Sequence, residues 1–170
     1  MKYTSAKANK LLKSIEQQIK DIKMKEHRSA HFRVAAGEDA ESIRPAYDFA
    51  ATQTKIDELE SAVRKVKHAI NTFNVTHTLP GFDEVTIDQA LVYIPQLSQR
   101  VSKLQEMAAS LPKERIESIR NNFVDYSVAN YDIEEAERAY EEASQKLATL
   151  QLALDAANTT GTMEIDVELN

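Results

Sequence analysis

The chain has 170 residues, enough for one domain with a real core. Charged residues make up 28% and aromatics 6%, with three glycines, four prolines and no tryptophan. That balance favours helices over an all-β fold, which uses more turn residues and more aromatic and β-branched side chains. The absence of cysteine excludes disulfides, thiolate metal sites and cysteine nucleophiles together.

The net charge of −6 conceals an asymmetry: residues 1–33 carry nine Lys/Arg against three Asp/Glu, and the rest of the chain is strongly acidic. A basic first helix can therefore pair with an acidic body, within one chain or between chains, or meet an outside polyanion. Met1-Lys2-Tyr3-Thr4-Ser5 runs into a charged periodic segment with no apolar h-region, so no secretory signal is read. No apolar stretch approaches the roughly 18–20 residues of a membrane span. The expectation is a cytoplasmic protein with no membrane partner.

A first helix is predicted over residues 4–25. Ala8, Leu12, Ile15, Ile19 and Ile22 recur at 4-3-4-3 spacing, an a/d seam with Lys and Gln on the other faces. In residues 31–38, Phe32 and Val34 alternate with polar neighbours before Gly37, which reads as a short strand or extended linker. The second helix, over residues 44–73, keeps strict 3-4 spacing through Phe49, Thr52, Ile56, Leu59, Val63, Val66, Ile70 and Phe73. At about 1.5 Å per residue it makes a rod of about 45 Å. Pro45 suits a first turn, where its missing N–H costs no helical bond. Residues 74–83, containing Pro80-Gly81, read as a loop.

Thr86-Ile87-Asp88-Gln89 is a T-x-x-Q capping box opening a third helix. Its seam is Ile94, Leu97, Val101, Leu104, Ala108 and Leu111. Pro95 inside that pattern predicts a bend near Leu91, and Pro112 a stop. Residues 113–131 are ambiguous: Ile116 and Ile119 fit a helical turn, whereas Val124, Tyr126 and Val128 alternate as in a strand. Asp132-Ile133-Glu134-Glu135 starts the last helix, with Ala136, Tyr140, Ala143, Leu147, Leu150, Leu154 and Ala157 on its seam. Asn158 and Gly161 supply the stop. Met163, Ile165, Val167 and Leu169 then alternate with acidic residues, a strand with one apolar face. Cover for it would come from the Phe32 or Val124 segments or from a neighbouring subunit.

Sites of chemistry are hard to assemble from these residues. There is no G-x-S-x-G elbow, and the isolated Gly37, Gly81 and Gly161 cannot build a phosphate-cradling loop. His27 and His31 are four apart, yet no Glu-x-x-His accompanies them, and solvated histidines near a helix end are the better reading. The acidic run from Asp132 to Glu142 lacks a calcium-loop pattern, and its first members sit where a helix dipole favours negative charge. The basic helix, with Lys10, Lys13 and Lys20, has few aromatic platforms nearby, so charge alone is a weak signal for nucleic acid. No catalytic, cofactor-binding or metal-ligating residue is assigned, and no enzyme activity is expected.

Several short motifs fall in a recognisable order. Ala35-Ala36-Gly37-Glu38 precedes the long helix ending Ile70-Asn71-Thr72-Phe73-Asn74; Thr86-Ile87-Asp88-Gln89-Ala90-Leu91 follows, and Leu154-Asp155-Ala156-Ala157-Asn158 comes near the end. Over residues 35–166 the chain resembles an uncharacterised bacterial family labelled septicolysin-like, or viral A-type inclusion protein-like. Two places depart from its pattern: the family's Asn-Trp is Asn158-Thr159 here, and its Ala-x-Arg-Asp turn is Val92-Tyr93-Ile94-Pro95. The resemblance implies a helical, self-associating fold and carries no site residues with it.

The sequence thus predicts a mainly α single domain of long antiparallel heptad-patterned helices with a small accessory β-sheet collecting the short strands. Its expected role is non-catalytic: a structural or interaction protein that forms a homo-oligomer. The candidate contact residues are Ile56, Leu59, Val63, Val66, Ile70, Leu147, Leu150 and Leu154 on the seams and Met163, Ile165, Val167 and Leu169 on the strand. Whether the seams close within one chain or between chains stays open. The alternative is nucleic-acid or anionic-surface binding through the basic helix.

Overall fold

A computed structural model describes residues 1–116 and 124–167. Ile119 and Leu169, given places in the sequence patterns above, lie outside the described residues. The chain divides into two compact units: residues 1–76 with 158–170, and residues 77–157. Each is taken by itself.

The first unit opens with strand β1 (Lys2–Thr4) and helix α1 (Ser5–Ser29). Thr4 ends one and caps the other, its Oγ1 accepting from the Lys7 N–H at 3.3 Å. The short helix α2 (Ala40–Ile43), capped by Asp39, follows, then helix α3 (Phe49–Thr76). Residues 32–34 form no strand, so the extended-linker reading is the correct one there.

The predicted start of the long helix at residue 44 is also corrected. Arg44 is extended and Pro45 precedes the helix. Asp48 opens it instead, its Oδ1 accepting from Ala51 N–H and its backbone oxygen from Thr52 N–H. An aspartate cap satisfies orphan amides that Pro45 could not. Phe49, the first residue of the sequence seam, is consequently 66% exposed.

Helices α1 and α3 pack against each other antiparallel. Lys23 Nζ meets Glu60 Oε1 at 2.9 Å and Lys67 Nζ meets Glu16 Oε1 at 3.1 Å, so moving forward on one helix means moving back on the other. Along the two helices the seam residues are buried: Ala8 and Ile15 on α1, and Ile56, Leu59, Val66 and Ile70 on α3. Each fully buried aliphatic side chain contributes about 1.5–3 kcal/mol, whereas exposed ion pairs of this kind contribute about 0–1 kcal/mol. The seam therefore holds the pair and the charges set its register.

Strand β6 (Thr162–Glu164) closes this unit by pairing antiparallel with β1, Tyr3 opposite Met163. The pairing is extended by Ile165, whose N–H donates to Met1 O at 3.0 Å. Its cover is therefore β1 and α3, not the Phe32 or Val124 segments. Met163 and Ile165 are buried and Val167 half-buried.

The second unit begins with a small hairpin, β2 (Thr78–Leu79) and β3 (Phe82–Thr86), where the sequence reads as a loop. Gly81 turns it with φ of 78°, a conformation that suits glycine. Helix α4 (Ile87–Ala108) starts at the predicted capping box, with both Thr86 and Gln89 bonds formed. The helix continues through Pro95. Leu91, whose carbonyl Pro95 leaves without a helical partner, is exposed, so water can satisfy it.

A ribbon of β4 (Lys113–Ile116) and β5 (Asp125–Val128) follows, then helix α5 (Ile133–Thr160). Asp132 caps α5, its Oδ1 accepting from Glu134 and Glu135 N–H. Across from α4, Lys146 Nζ of α5 stands 5.3 Å from the Tyr93 ring centre. Leu79, Ile87, Ala90, Leu97, Ala136, Ala143 and Leu150 are the main buried apolar residues of this unit. Among the described residues the strands make three separate two-stranded sheets, not one sheet collecting all the strands. The molecule is mainly α with small accessory strand pairs.

Replacing Ile15, which is fully buried, with alanine should cost about 2–5 kcal/mol. Leu152→Ala, at a side chain 70% exposed, should stay within about 0.5 kcal/mol. Urea unfolding of the two variants measures the contrast. Deleting residues 162–170 should lower the melting temperature, because β1 then loses its only strand partner among the described residues.

Candidate functional site

The seam residues named from sequence divide by burial. Ile56, Leu59, Val66 and Ile70 are buried in the single chain, with Val63 half-buried beside them. On α5, Leu150 is buried while Leu147 and Leu154 are half-buried. A side chain that is already dry in the monomer gains little by meeting another copy.

Part of the charge on the basic helix is also used within the first unit. Lys23 donates to Glu60 Oε1 and holds that carboxyl below its ordinary pKa, by the hydrogen bond first and by charge attraction second. Nearby, Tyr47 Oη donates to Glu26 Oε1 at 2.7 Å and Gln53 Nε2 donates to the same oxygen at 2.6 Å. The hydrogen bond to Glu26 pushes the Tyr47 phenol above its ordinary range, so it stays protonated at neutral pH. These groups edge an open cavity of about 360 Å³ that Ile22, Lys25, Ala51 and Thr52 also line. A phenol and an amide both spent on one carboxylate tie α1 to the segment before α3 and to α3 itself. By contrast, Lys10, Lys13 and Lys20 are exposed and in no ion pair among the described residues.

Among the described residues no group of three or more His, Asp and Glu is placed to hold a metal ion. No helix among the described residues is long and apolar enough to cross a membrane.

What the single chain leaves uncovered is the β4–β5 ribbon. All eight of its strand residues are exposed. Its register sets Lys113 opposite Val128, Glu114 opposite Ser127, Arg115 opposite Tyr126 and Ile116 opposite Asp125. Opposed residues share a face, so Lys113, Arg115, Tyr126 and Val128 lie on one side and Glu114, Ile116, Asp125 and Ser127 on the other. Lys113 Nζ sits 4.1 Å from the Tyr126 ring centre, a cation–π contact that orders the first face. At the ribbon's base Tyr131 Oη donates to Met107 O at 3.0 Å, tying it to the end of α4.

The alternation of Val124, Tyr126 and Val128 marks β5 in the sequence, whereas Ile116 fits a helical turn as well as β4. Pro112 directly before Lys113-Glu114-Arg115-Ile116 was the usable signal, since proline is tolerated where a strand begins.

No protein-family model matches the chain, and neither does a curated protein. The fold does have a solved counterpart. It is similar to the crystal structure of a functionally unknown conserved protein from Corynebacterium diphtheriae, at 16% identity and a TM-score of 0.56, covering 96% of this chain and 100% of that one. At that identity the likeness speaks for the fold alone.

The Glu60 pair makes a prediction about pH. Its folded pKa is lowered, so the stability it adds is present above the ordinary glutamate value and lost as pH falls through the lowered one. Glu60→Gln should melt below the parent protein at pH 7 and converge with it in acid, as followed by circular dichroism.

Proposed function

We propose that this chain is a non-catalytic structural or interaction protein that acts by associating with copies of itself. The observation that carries this reading is the exposed ribbon: Tyr126 and Val128 share one face and Ile116 stands on the other, with Val124 just before β5, and all four are more than two-fifths exposed. Isolated two-stranded ribbons are marginal in water, and clustered exposed apolar groups mark interaction surfaces. Leu152 on α5 and Leu91 and Val92 on α4 add further exposed apolar positions. Such a protein would share with the septicolysin-like family a helical, self-associating design.

A second reading is favoured by one observation. Lys10, Lys13 and Lys20 are exposed on α1 and in no ion pair among the described residues, which suits an anionic surface or nucleic acid.

Absolute mass by size-exclusion chromatography with light scattering, at low and high salt, tests the first. An oligomer at both salts is expected, because apolar contacts are not screened as charges are; a monomer at both ends the proposal. Reversing Lys10, Lys13 and Lys20 to glutamate should leave that mass unchanged. Under the second reading the same change abolishes salt-sensitive binding to duplex DNA or anionic vesicles.

A further inference from the structure

The backbone of the ribbon has a direction to its hydrogen bonding. Ala129 N–H donates to Pro112 O at 3.1 Å, one rung beyond the Lys113–Val128 pair. In an antiparallel ladder, hydrogen-bonded and non-hydrogen-bonded pairs alternate. Ser127 and Asp125 therefore bond inward to β4, and Tyr126 and Val128 turn their N–H and C=O groups to the outer edge. Among the described residues β5 pairs with β4 and nothing else. Its outer edge is thus a row of unpaired amides and carbonyls, carried on side chains that are themselves exposed.

The sequence along that edge is Val124-Asp125-Tyr126-Ser127-Val128, nearly the same read in either direction. A two-fold axis perpendicular to a sheet pairs residues of like parity, since face-to-face alternation must be kept. Centred on Tyr126, it sets Tyr126 opposite Tyr126 of the second copy, Val124 opposite Val128, and Asp125 opposite Ser127. No like charges meet, aromatic and β-branched pairs fill one face, and carboxylate–hydroxyl pairs fill the other. The outward amides of Tyr126 and Val128 are also ones this register requires. The β4 edge offers no such match. A two-fold centred on Glu114 opposes glutamate to glutamate and Lys113 to Arg115, and one centred on Arg115 opposes arginine to arginine.

We propose that the outer edge of β5 pairs antiparallel with β5 of a second copy about a two-fold axis at Tyr126, joining two ribbons into one four-stranded sheet. This deepens the self-association reading and rests on it. The pairing turns a marginal two-stranded element into a sheet long enough to be stable, and its isologous symmetry closes the assembly at that edge.

Because the chain has no cysteine, a single introduced thiol reports its own neighbourhood. Opposed hydrogen-bonded residues lie about 5.5 Å apart between Cα atoms, within the range a disulfide spans. Under mild oxidation Y126C should run as a covalent dimer in most of the protein. R115C, on the same face but one strand further from the axis, should remain largely unlinked. Val128→Asp, which sets a carboxylate against Val124 of the other copy, should halve the mass by light scattering while leaving helical circular dichroism unchanged. If the parent protein is an oligomer but Y126C fails to link, or links no better than R115C, the β5 pairing is wrong and self-association stands on another surface. An unchanged mass for Val128→Asp overturns it equally. A monomeric parent protein removes both readings, and a dimer seen only with a different protein present would replace the second copy with that partner.

Discussion

The burial of the α3 seam against α1 is the constraint from which the first unit follows. Ile56, Leu59, Val66 and Ile70 recur at a spacing that makes one narrow apolar stripe, and Ala8 and Ile15 supply the facing one. With the two helices antiparallel, Lys23 and Glu16 of α1 fall beside Glu60 and Lys67 of α3. The asymmetric charge of the chain is therefore partly spent inside one molecule. Closing this seam also draws β6 onto β1 and α3, so that Met163 and Ile165 become dry. Under the proposed self-association, the surface for a second molecule would lie outside this seam, on the exposed ribbon of the second unit.

The long helices were legible because their signals are local and repeated. Seam residues at 3-4 spacing mark buried positions along both α1 and α3, and the caps at Thr86 and Asp132 locate two helix starts to the residue. A cap is a bond between residues two or three apart, so its signal lies within a few residues of sequence. The start of α3 was less legible because two local signals compete there. Pro45 fits a first turn, but Asp48 accepts from Ala51 N–H, and a satisfied amide outweighs a tolerated proline.

The short strands were harder to read for a different reason. Three residues of β1 have no pattern of their own, and their partner β6 lies at the other end of the chain. The sequence alternation in residues 163–169 announced an apolar face without saying which strand would cover it. Only half of the ribbon was visible for a similar reason. Val124, Tyr126 and Val128 alternate clearly, whereas Lys113-Glu114-Arg115-Ile116 is charged at three positions of four and gains its strand character from the pairing. The near-palindrome around Tyr126 is present in the sequence, yet it acquires meaning only once the ladder shows which amides point outward. Function was least legible, since the hydrogen-bonded carboxylates named above are engaged locally: Glu26 is held by Tyr47 and Gln53, and Asp132 by the first turn of α5.

Amide hydrogen exchange at two protein concentrations, read residue by residue, separates a seam closed within the chain from one closed between chains. Protection of the Tyr126 and Val128 amides should rise with concentration, while the amides of α3 from Ile56 to Ile70 keep the same protection throughout. Protection in α3 that climbs with concentration would contradict this view, because the seam would then need a second molecule to close.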